Sequence, residues 1–113
     1  AMAAAPEAQG ARFVAFFRPE RATSAEGQSF VNRYRARFKV DPDMFAALSY
    51  DAALAIGKAV ASGASTRVAV RDAVERFGGS TSSIDGAGGK IAFGKNHDAA
   101  GRTVVVTTIG GVP

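Results

Sequence analysis

Residues 44–60 read MFAALSYDAALAIGKAV. Leu48, Ala52, Ala55, Ile56, Ala59 and Val60 recur at helical spacing, so the stretch predicts a helix with one apolar face, and Gly63 is its natural terminator. The small side chains Ala46, Ala47, Ala52, Ala53 and Gly57 would let another helix or a sheet approach closely. Phe45 and Tyr50 stand out from this background. Periodicity alone puts both in the core, as it does for most aromatics.

Working upstream, ARFVAFF at residues 11–17 lies between Gly10 and Pro19 and predicts a mostly buried strand, followed by a loop over residues 18–22. Thr23 and Glu26 have the spacing of a capping box, so a helix is expected to start there. Phe30, Val31, Tyr34 and Phe38 give that helix a narrow apolar stripe. It should end before Asp41-Pro42, because the residue ahead of a proline is pushed out of the α region.

Downstream, Ser65 or Thr66 can cap a third helix whose Val70, Ala73, Val74 and Phe77 point one way, before Gly78-Gly79 stops it. Residues 78–89 are rich in Gly, Ser and Thr and predict a mobile loop. A short strand around residues 90–93, a turn through 94–101 and a strand over 103–109 complete the pattern. The expected fold class is α/β, with about three helices and a small, mainly antiparallel sheet. No internal repeat is present.

The chain has 113 residues, 47% hydrophobic and 21% charged, which is the composition and length of one globular domain with little surplus core. Its net charge of +4 is scattered. Arg33, Arg35 and Arg37 are the densest group, but at spacings of two they fan around a helix as a solvated face. A nucleic-acid footprint needs a continuous basic patch with stacking aromatics, so no nucleic-acid partner is expected. The absence of cysteine excludes disulfides, thiol chemistry and cysteine-ligated metal sites. No stretch is expected to approach the roughly 18 apolar residues of a membrane span. Met2 is followed by Ala-Ala-Ala-Pro-Glu, without the charged start and apolar block of a signal peptide, and Ala1 ahead of it reads as a scar of tag removal.

Several features invite a chemical reading and resist it. Residues 85–90, DGAGGK, would need a glycine where Ile84 stands and Ser or Thr where Ile91 stands to form a phosphate loop, so they predict a flexible approach to the next strand. His97 is the sole histidine and has no second ligand to complete a metal set; an exposed turn residue is expected. Asp41 and Asp43 flank a proline at a helix start, where carboxylates cap free N–H groups. Ser29 and Ser49 lie within predicted helices with no base placed to activate them. No catalytic residue, metal ligand or cofactor site is expected, and the chain is not read as an enzyme.

The order FVNRYRARFKVDPDMFAALSYDAALAIGKAV, then STRVAVRDAVERF, then DGAGGKIAFGKNHDAAGRTVVVTTIGG, resembles the C-terminal third of a type I periplasmic solute-binding protein. The subfamily is the one serving ABC importers of branched-chain amino acids and related compounds. The most telling parts are the helix with Tyr34 and Phe38, the YDA of residues 50–52, and Ile91, Phe93, Asn96 and Asp98 before a valine-rich strand. Gly94 departs from the pattern, which has an aspartate there.

The resemblance implies a partial domain over residues 10–113 of a periplasmic-binding-protein type I lobe, after a disordered or tag-derived N-terminus over residues 1–9. In such proteins two α/β lobes joined by three hinge strands close on a solute. The aromatic five positions before the YDA tyrosine borders the ligand, which makes Phe45 the ligand-binding residue here, while Tyr50, Asp51 and the alanines pack the helix into its lobe. The resemblance further implies a small-molecule solute such as an amino acid, a membrane permease as partner, and a periplasmic or extracellular setting. Most of the groups that bind the solute's carboxylate and ammonium come from the first two thirds of the family, so this chain is expected not to bind solute tightly. Helices that flank absent strands would leave apolar faces bare, and a homodimer, formed by exchange of helices or strands, is expected to cover them. Alternatives are a stand-alone interaction module or one half of a split binding protein.

Overall fold

The apolar stripe of residues 30–38 folds as helix α1 (Ala25–Phe38) in the computed structural model, which describes residues 6–110. Its N-cap is Ser24, whose hydroxyl accepts from the Gly27 N–H at 3.0 Å, so the cap lies one residue past the expected Thr23, and the box expected with Glu26 does not form. Ser24 has the extended backbone that a cap requires, and Glu26 turns away to accept from Tyr50 and Arg33. The helix closes at Lys39 in a left-handed conformation, before Asp41-Pro42 as expected.

Asp43 caps α2 (Met44–Ala61) by accepting from the Ala46 N–H at 2.8 Å. Asp41, expected to share that task, instead pairs with Arg35 back on α1, because it lies beyond the proline and outside the first turn. α2 buries Ala47, Asp51, Ala55 and Ala59 on one face and leaves Ile56 and Val60 more than half exposed on another. Gly57 has no neighbour near its backbone among the described residues, so the close approach expected there does not occur. Gly63 follows the C-cap with φ +103, and the Ala64 N–H closes back on the Ala59 carbonyl at 3.2 Å. Against expectation, α2 has the length and mean hydropathy of a membrane span, 1.3 over 18 residues. That likeness is one of composition: Asp51, buried at mid-helix with its donors around it, belongs to a folded body.

Thr66, rather than Ser65, caps α3 (Arg67–Glu75) by accepting from the Ala69 N–H at 3.1 Å. Val70, Ala73, Val74 and Phe77 pack on Ala55 and Ala59 of α2, as their spacing predicts. A second cluster joins Phe17, Phe30, Val31, Ala47 and Ala87, with Phe17 and Phe30 edge to face at 5.9 Å.

The strands form two antiparallel pairs. β1 (Arg12–Ala15) pairs with β4 (Val105–Thr108), in the register Arg12 to Thr108 and Ala15 to Val105. β2 (Ile84–Gly86) and β3 (Gly89–Ile91) make a hairpin. The strand expected to be mostly buried over 11–17 is shorter and exposed except at Ala15, because a two-stranded ribbon has one neighbour strand and no facing layer. Phe17 is buried, but beyond the strand and among the helices. The mobile loop expected over residues 78–89 is corrected too: it contains β2 and a bridge between Phe77 and Thr81. Phe93, expected at the end of a strand, bridges Ala99 across the turn instead. The architecture is α/β, three helices with small antiparallel sheets, as the sequence predicts. Residues 1–5 of the expected N-terminal tail lie outside the described residues, and Pro6–Ala8 form a single 3-10 turn.

Candidate functional site

Asp43 fixes where α2 begins, and Met44 then turns toward the cluster around Phe30. Successive helical residues point about 100° apart, so Phe45 is swung away from that core. Its side chain is 66% exposed and borders an open cleft of about 780 Å³. One wall is Asp41, Pro42, Asp43 and Phe45; the other comes from Phe13, Ala15 and Arg18 on and after β1.

The charges at the rim are engaged with one another. Arg18 donates to Glu20 at 2.7 Å, Asp41 accepts from Arg35, and Asp43 serves its helix. What the cleft offers a ligand is therefore an aromatic wall, since orienting a zwitterion takes several convergent hydrogen-bonding groups.

Tyr50 lies elsewhere, as expected. Its ring stacks on Phe30 at 4.9 Å, and its hydroxyl donates to Glu26 at 2.5 Å while accepting from Arg33 at 2.8 Å. Burial pushes the phenol above its ordinary pKa, the Glu26 carboxylate adds to the rise, and Arg33 opposes it. Tyr50 thus fastens α2 to α1.

Asp51 also packs into the body, with a part that sequence reasoning missed. Its carboxylate accepts from the Ala87 N–H at 2.6 Å, the Gly88 N–H at 3.1 Å and the Arg102 guanidinium. A Cβ at residue 86 would lie 2.5 Å from the Asp51 Oδ1, which is why that strand ends in glycine. The glycine turn set aside as a phosphate loop does present its N–H groups to an anion, and the anion is the chain's own aspartate. The signal was available: a carboxylate in mid-helix among alanines must find donors.

His97 is an exposed turn residue with φ 66, 3.7 Å from Glu75. Among the described residues no group of three His, Asp or Glu could hold a metal. Ser29 and Ser49 are exposed on their helices.

Three helices and two antiparallel strand pairs, with Phe45 exposed on an open cleft, make up this α/β body. The chain belongs to the periplasmic binding protein family, whose model matches residues 1–111. A leucine-binding protein, LivK, from Thermotoga maritima is 26% identical and superposes with a TM-score of 0.79 over 92% of this chain and 29% of its own. The branched-chain amino acid binding protein LivJ of Streptococcus pneumoniae, solved with isoleucine, is 28% identical, with a TM-score of 0.74 over 86% of this chain and 26% of its own. A solute-binding protein of R. palustris in complex with benzoate, 23% identical with a TM-score of 0.71 over 92% of this chain and 28% of its own, shares the fold. No curated protein matches the chain. The chain thus spans less than a third of the length of these structures. The family is one of binding proteins, not of enzymes, in line with the sequence.

Proposed function

We propose that this chain is the C-terminal part of an ABC-importer solute-binding protein for branched-chain amino acids or related small molecules, and that alone it does not hold solute tightly. The observation that carries this reading is the pairing of two facts. The chain superposes on a leucine-binding protein over 92% of its own length but 29% of the other's, and Phe45 sits bare on a cleft whose charged rim is internally paired. In this reading Phe45 is the apolar wall against the solute side chain, and the preceding two thirds supply the groups that take its carboxylate and ammonium. The permease is the partner of the completed protein, and residues 10–113 are the partial domain.

The apolar groove along α2 and β3, lined by Phe16, Leu48, Ala52, Ile91 and Phe93, fits the same reading as the face on which the rest of the binding protein packs. In its absence a second copy of the chain covers the groove. Supplying the preceding segment of the binding protein in trans tests the proposal: the mixture should gain a leucine-dependent rise in melting temperature, and a mixture indifferent to leucine, isoleucine and valine counts against it. Co-purification of the two pieces without any solute effect would favour a split protein-interaction module instead.

A further inference from the structure

β1 and β4 pack chiefly on each other and not broadly on any helix. The ribbon they form joins the helical body through residues 16–18 after β1 and residues 92–104 before β4. Each connection drives one side chain into the body. Phe17, 5% exposed, enters the cluster with Phe30. Arg102, its side chain 10% exposed, enters beside Ala99 and meets Asp51, whose side chain is 4% exposed.

We propose that the Asp51–Arg102 pair is a pin that holds the β1–β4 ribbon at one angle to the helical body, and so sets the width of the cleft between Phe13 and Phe45. Phe13 and Ala15 ride on the ribbon, whereas Asp43 and Phe45 belong to α2, so a change in ribbon angle changes the distance between the walls. An apolar anchor such as Phe17 fixes a point but not a direction. Arg102, whose Nη2 donates to a carboxylate that two backbone N–H groups already orient, adds a second fixed point, and two points set a direction. Asp51 and Arg102 are positioning residues: neither lines the cleft that Phe45 borders. The consequence for a solute rests on the reading of that cleft given above; the pin itself does not.

The test needs no solute, so its failure would leave the solute reading intact. The chain has no cysteine, and spin labels at Val106→Cys on β4 and Lys58→Cys on α2, both exposed, report the ribbon-to-body distance in the full chain. The native pair should give a single narrow distribution. Arg102→Met should lose it, with helicity by circular dichroism unchanged, and Arg102→Lys should keep most of it. A narrow distribution that survives Arg102→Met overturns the proposal. So does a broad distribution in the otherwise native chain, whatever the variants do, and so does global unfolding of Arg102→Met, which would make the pair a prop of the core.

Discussion

Asp51, in the middle of α2, and Arg102, in the approach to β4, stand 51 positions apart in the sequence and form a buried ion pair. The same carboxylate closes the turn of the β2–β3 hairpin through the Ala87 and Gly88 N–H groups, so one side chain ties together a helix, a hairpin and the start of a strand.

Removing the aspartate leaves a buried guanidinium and two backbone donors without their acceptor. Asp51→Ala should therefore cost about 3–5 kcal/mol, measured by urea unfolding. Arg102→Met should cost less, about 2 kcal/mol, because Asp51 keeps its two N–H donors. Equal losses for the two would contradict this division of labour.

Gly86→Ala probes the same joint from the other side. The added methyl would meet the Asp51 carboxylate at 2.5 Å, so the hairpin must move or the helix must yield. A melting temperature well below the native value is expected; an unchanged one would mean that the contact relaxes freely.

The start of α1 separates Ser24 from Thr23. Ser24→Ala should cost about 1 kcal/mol, the usual worth of a cap, while Thr23→Ala should stay within about 0.5 kcal/mol. The reverse order in denaturant titrations would restore the capping box that the sequence suggests.

Tyr50 gives a pH signature. Its folded pKa is raised above the ordinary phenol value, first by burial and then by Glu26, so its contribution is complete below that value and is lost as the pH rises through the higher folded one. Thermal melts should show the native chain losing stability relative to Tyr50→Phe as the pH rises above about 10. Parallel profiles would mean that the phenol titrates as it does in the unfolded chain.

These results also mark what was legible in advance. The helices were, because the stripes at Phe30–Phe38 and Val70–Phe77 and the caps at Asp43 and Thr66 are local signals. The exposure of β1 was not, since ARFVAFF has the composition of a buried strand and burial depends on which layers face it. Nor was the order in residues 78–89, whose glycines look mobile until the distant Asp51 carboxylate engages them. Phe45 stands out only through the family pattern, and its exposed position at the start of α2 follows from the Asp43 cap and the inward turn of Met44.

Light scattering coupled to size exclusion, over a concentration series, tests the bare apolar faces. With Ile56 52% and Val60 54% exposed beside the groove at Leu48, the chain should run as a dimer that dissociates on dilution. A stable monomer at high concentration would show that these faces need no cover.

The central claim is that this chain carries one wall of a solute site and not the groups that orient the solute. Calorimetric titration of the 113-residue chain with leucine, isoleucine and valine tests it most directly. The account predicts no saturable heat with any of the three; micromolar affinity for one of them would contradict it.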